Sequence, residues 1–113
     1  LTEFLNIAKS LELSALVEAH DADEISMALQ ARARIIGVNN RNLKDFTVDL
    51  KNSINMRKLV SKEVLFVAES GIRTREDVKK LEKEEVDAVL IGETLMKSEK
   101  KETILKALRG EGI

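Results

Sequence analysis

Polar side chains recur at one place in this sequence, at or just after the end of a short apolar run. Glu18 and His20 follow the run SALVEA at 14–19, and Asn39, Asn40 and Arg41 end the run RIIGVN at 34–39. Glu69, Ser70 and Gly71 close VLFVAES at 64–70, and Gly92, Glu93 and Thr94 close AVLIGE at 88–93. Side chains alternate along a strand, so Leu16, Glu18 and His20 share one face, and Ile35, Gly37 and Asn39 share another. That alternation directs Glu18 and Asn39 toward one cavity. A carboxylate above an apolar floor suits general acid–base work, because desolvation raises its pKa toward the working range. The alternative for Glu18 is that it caps a neighbouring helix or pairs with Arg41. Ser70, Gly71 and Gly92 lead into turns or helix starts, where backbone N–H groups are free and small side chains let an anion approach. Turn geometry alone also accounts for such glycines. The Glu93 side chain repels a phosphate, so only its backbone suits that role. His20 is the only histidine. With Glu18 alone beside it and no cysteine, it makes a poor metal site, and a structural role is expected of it.

The apolar runs that carry these groups are continuous rather than alternating, as in strands buried on both faces of a parallel sheet. Strands are expected at 14–19, 34–39, 64–70 and 88–92. Helical spacing fills the gaps. Asp21 and Glu24 open a helix with an Ile25, Ala28, Leu29 stripe, and Thr74 with Asp77 opens another with Val78 and Leu81 inward. Leu50, Ile54 and Leu59 give a weaker stripe, Phe4, Leu5, Ala8 and Leu11 an initial one, and Ile104, Leu105 and Leu108 a last one over 101–109. The order is a helix and then strand and helix four times, with strands about every 20 to 30 residues, which predicts an α/β fold of repeated βα units. Ligand sites in such folds lie at the carboxyl ends of the strands, where the polar residues stand here. A (β/α)8 barrel needs about 250 residues, so four units amount to half of one. The expectation is a single half-barrel unit over residues 1–113.

The bulk numbers narrow the function classes. Nineteen Lys and Arg against twenty Asp and Glu give a net charge of −1, so no overall field favours nucleic acid or an anionic membrane. No apolar run is long enough for a membrane span, no signal peptide is recognisable, and a cytoplasmic protein is expected. The absence of cysteine excludes disulfides and a thiol nucleophile. The charged runs KKLEKEE and KSEKKE read as solvated helix faces. The opening directly into a helical pattern, without an initiator Met, reads as a piece of something longer.

Taken together and in order, ALVEAH, IIGVNNRNL, VAESGI and AVLIGETLM resemble the second half of indole-3-glycerol-phosphate synthase. AESGI followed by IGETLM is shared in looser form by other phosphate-binding barrels of the phosphoribosylanthranilate isomerase or thiamine-phosphate synthase type. LVEAH and IGVNNRNL carry most of the discrimination. The resemblance implies the C-terminal half of a TIM barrel and a carboxy-lyase of tryptophan biosynthesis, which closes the indole ring of carboxyphenylamino-deoxyribulose phosphate with loss of carbon dioxide and water. It implies no cofactor. By the same resemblance Glu18 serves proton transfer in the dehydration, Asn39 hydrogen-bonds the substrate chain, and Arg41 meets the anthranilate carboxylate. Glu69 positions the substrate or a catalytic lysine, and Ser70 and Gly71 hold the phosphate with Gly92 and Glu93. The family's catalytic lysines lie in the first half, so the chain by itself is expected to be inactive. A phosphorylated substrate and either the missing N-terminal half or a second copy are its expected partners. A non-catalytic, self-associating half-barrel scaffold is the reading from a different class.

Overall fold

The computed structural model describes residues 1–42 and 44–110. Leu43, within the second motif, and the last three residues of the expected unit lie outside the described residues. The order is α1 (Thr2–Ser10), β1 (Leu16–Ala19), α2 (Ala22–Gln30), β2 (Ile35–Asn39), α3 (Lys51–Arg57) and β3 (Leu65–Glu69), followed by α4 (Arg75–Lys83), β4 (Ala88–Leu90), α5 (Glu93–Lys97) and α6 (Lys101–Arg109). The four strands form one parallel sheet in sequence order, β1-β2-β3-β4. Strands of one direction must be joined by crossovers, and the helices supply them. Four parallel strands alternating with helices are half the complement of a (β/α)8 barrel.

Local chemistry starts the helices where the sequence predicts. Asp21 Oδ1 accepts the Glu24 N–H at 2.8 Å and caps α2. Thr74 and Asp77 form a reciprocal capping box at the start of α4, each side chain accepting the other's backbone N–H at 3.2 Å. Three details differ from the sequence reading. Leu59 lies beyond the end of α3 and is half exposed, while the buried side chains of α3 are Ser53 and Arg57. The apolar stripe of α1 is barely covered, with Phe4 exposed and no residue of the helix buried. A short helix, α5, stands between β4 and α6, where the sequence reading has one helix after the last strand.

The core lies between the sheet and its helices. Ala19, Ile36, Val38, Val60 and Phe66 pack against Ile25 and Ala28 of α2, and Ala68 packs with Ile72, Leu81 and Leu108 beneath α4 and α6. The opposite sheet face is uncovered, with Leu16, Leu65 and Leu90 exposed to 46%, 50% and 54%. The continuous runs therefore encode two buried faces, of which this chain covers only one. At the amino ends of β3 and β4, the buried Arg57 guanidinium donates to the carbonyls of Glu85, Val60 and Ser61 and lies 5.6 Å from the Phe66 ring centroid. This clamp fixes the sheet at the end away from the polar rim.

Candidate active site

The register of the sheet sets the floor of the site. Glu18 stands beside Gly37, Asn39 beside Glu69, and Glu69 beside Leu90. Alternation then aims Glu18, Asn39 and Glu69 to the uncovered face at the carboxyl end of the sheet. A cavity of about 1100 Å³ opens there, lined by all eight residues to which the resemblance gives a role: Glu18, Asn39, Arg41, Glu69, Ser70, Gly71, Gly92 and Glu93. Its size falls at the upper end of small-molecule sites.

Glu69 is the most enclosed ionisable group in the cavity, at 5% exposure, and its Oε2 has no hydrogen-bond partner among the described residues. Burial pushes its carboxyl above the ordinary glutamate range, and the nearby Glu18 charge pushes the same way, with His20 opposing. Gly37 provides the room for this carboxylate, because a Cβ there would lie 3.2 Å from Oε2.

Glu18 takes neither alternative of the sequence reading. Its Oε1 lies 3.3 Å from His20 Nε2, and His20 Nδ1 lies 3.3 Å from Glu24 at the start of α2. His20 thus links Glu18 to the neighbouring helix, in keeping with a structural role. Arg41 instead pairs with Glu93, across the mouth of the cavity. Lys97, one turn along α5, approaches the same carboxylate at 2.6 Å. The hydrogen bond and charge of Lys97, then the charge of Arg41, hold the Glu93 carboxyl below the usual range.

The turn after β3 is built for close backbone approach. Ser70 and Gly71 are consecutive left-handed residues, with φ 68° and 77°. At Gly71 a Cβ would overlap the Val48 side chain, so only glycine fits. Thr94 Oγ donates to the Ile72 carbonyl at 2.8 Å and ties α5 to this turn.

Sequence reasoning missed two contributors. Lys97 lines the cavity from α5, although no lysine is singled out in the sequence; the i,i+4 spacing of Glu93 and Lys97 is the signal that finds it. Asn40 stands at its strand end in the sequence reading without a role; it is buried and holds the turn after β3 through its side chain, which no local pattern reveals.

A parallel βα sheet with its polar groups gathered in a cavity at the strands' carboxyl ends is the architecture of barrel enzymes. The crystal structure of the Amycolatopsis orientalis BexX/CysO complex shares this fold, with TM-score 0.71 at 16% identity over 96% of this chain and 44% of that one. The sequence model of the indole-3-glycerol phosphate synthase family matches residues 1–108, and the chain belongs to that family. The indole-3-glycerol phosphate synthase of Leuconostoc mesenteroides is 55% identical over 111 residues, taking in 98% of this chain and 42% of that protein. Those of Lachnoclostridium phytofermentans and Ruminiclostridium cellulolyticum are each 54% identical, over 96% and 97% of this chain and 40% and 42% of theirs. The chain spans about two fifths of the length of these curated relatives. Among the described residues no helix is long and apolar enough to cross a membrane.

Proposed function

We propose that this chain supplies one half of an indole-3-glycerol phosphate synthase active site. The reaction is the ring closure of carboxyphenylamino-deoxyribulose phosphate in tryptophan biosynthesis, with loss of carbon dioxide and water. The observation that carries the reading is the convergence of Glu18, Asn39, Glu69, Arg41 and the Ser70–Gly71 turn on one cavity at the strand ends. The chemistry divides sensibly among them. Glu18, held by His20, moves the proton in the dehydration, and Asn39 hydrogen-bonds the substrate chain. The free Oε2 of Glu69 receives a donor from outside the chain, either the substrate or a catalytic lysine. Arg41 binds the substrate carboxylate, and the backbone at Ser70, Gly71, Gly92 and Glu93 takes the phosphate.

The uncovered sheet face is where the strands of an N-terminal half would pack, and the two free sheet edges would pair with them. A second copy would cover the same face, and light scattering separates the two cases. The test is indole-glycerol-phosphate formation, followed by fluorescence, with the chain alone, with a matching N-terminal half, and with Glu18→Gln in the mixture. The expected result is activity only in the assembled pair, sharply reduced by the substitution. Silence from a properly assembled barrel would favour another phosphate-binding barrel, and turnover by the chain alone would show that its own residues supply the general acid.

A further inference from the structure

Asn40 directly follows β2 and points away from the cavity, and it is among the few buried polar side chains of the described residues. Its Oδ1 accepts two hydrogen bonds from Ser53 of α3, from N–H at 3.0 Å and from Oγ at 2.6 Å. Its Nδ2 donates to the Ser70 carbonyl at 3.1 Å. The amide has one possible orientation, because the Ser53 N–H only donates and the Ser70 carbonyl only accepts. The backbone joins the same contact, with Asn40 N–H donating to the Glu69 carbonyl at 2.7 Å and Asp49 N–H to the Asn40 carbonyl at 3.0 Å.

The bond to Ser70 falls on the residue whose backbone most needs support. A serine at φ 68° is held in a conformation that costs about 1 kcal/mol or more, and surrounding structure must impose it. Val48, from the loop that Asn40 begins, packs beneath Gly71 in the next position. The direction of the amides in this turn is therefore set from β2 and α3 as well as by the glycine of the turn itself.

We propose that Asn40 is the positioning residue of the anion subsite: through Ser53 on one side and the Ser70 carbonyl on the other, it fixes the Ser70–Gly71 backbone in the form that receives a phosphate group. The inference rests on reading that turn as the phosphate subsite. Asn40 itself touches no ligand. Asn40→Asp keeps the acceptor for Ser53 and replaces the donor to Ser70 by a carboxylate oxygen facing a carbonyl, which pushes the turn out of alignment.

The experiment is a titration of the full chain with inorganic phosphate at constant ionic strength, read on the backbone amide resonances of Ser70 and Gly71. Asn40→Asp is expected to weaken phosphate binding about tenfold, and Ser53→Ala about two- to threefold. Val60→Ala, a core truncation in the segment between α3 and β3, lowers stability and should leave phosphate affinity unchanged. Wild-type affinity in Asn40→Asp, or an equal loss in Val60→Ala, overturns the positioning role while leaving the subsite standing. Wild-type Ser70 and Gly71 amides that do not respond to phosphate overturn the subsite reading itself, and the proposal with it.

Discussion

Gly37 faces the buried Glu69 carboxylate across the β2–β3 pair, where a Cβ would lie 3.2 Å from Oε2 and 3.1 Å from Leu16 Cδ1. Both contacts are tighter than ordinary packing, so the Leu16 and Glu69 side chains must each give by a few tenths of an ångström. Gly37→Ala is therefore expected to destabilise the chain by about 1–2 kcal/mol through overpacking, despite the better strand propensity of alanine. Urea denaturation of the two proteins measures it. An unchanged midpoint would mean that the carboxylate moves freely and the glycine is not there to accommodate it.

Glu69 gives the chain a specific pH dependence. Burial and the Glu18 charge hold its folded-state pKa above the unfolded value, so the folded chain keeps the proton to higher pH than the unfolded chain. The stability favoured by this carboxyl is complete below the ordinary glutamate range and is lost as pH rises through the folded value. Glu69→Gln, neutral at every pH, is expected to match the wild type in acid and to exceed it at neutral pH. Denaturation midpoints across that range should diverge upward, and parallel curves would reject the assignment.

The pair formed by Arg41 and Glu93, fifty-two residues apart in sequence, places a carboxylate beside the proposed phosphate position. Removing its charge releases Arg41 and Lys97 toward an incoming anion. Glu93→Gln is expected to tighten inorganic phosphate binding about two- to threefold at low salt, with the gain shrinking as salt screens the site. A salt-independent change would point to altered turn geometry rather than charge.

At the other end of the sheet, Arg57 satisfies three backbone carbonyls from a buried position. Truncation leaves those acceptors without a donor and Asp87 without the guanidinium 3.8 Å away. Arg57→Ala should cost about 2–4 kcal/mol. Under conditions where the variant is still folded, its phosphate affinity should equal that of the wild type, since the cavity lies at the opposite strand ends. Calorimetry and the phosphate titration together separate the two effects.

The capping box of α4 offers a smaller, local test. Thr74→Ala removes the acceptor for the Asp77 N–H and is expected to cost about 1 kcal/mol. Thr74→Ser should recover most of the loss, and a thermal unfolding series of the three proteins reads this directly.

The sequence by itself determined the four strands, the main helices and most of the rim residues. Apolar runs, caps at Asp21 and Thr74, and two-residue alternation are local properties, and they decide where strands lie and which side chains face the same way. Glu18 and Asn39 were readable as cavity residues for that reason, and Glu69 by its place at a strand end. The tertiary structure alone decided how those residues pair. Glu18 turned to His20 while Arg41 reached Glu93, because the course of two loops and the lateral order of the strands choose among partners that sequence spacing leaves equivalent. Lys97 entered the cavity from α5, which Thr94 ties to the turn after β3. Asn40, Ser53 and Ser70 meet for the same reason: they come from three segments, and only the β2–β3 register brings them within hydrogen-bonding distance.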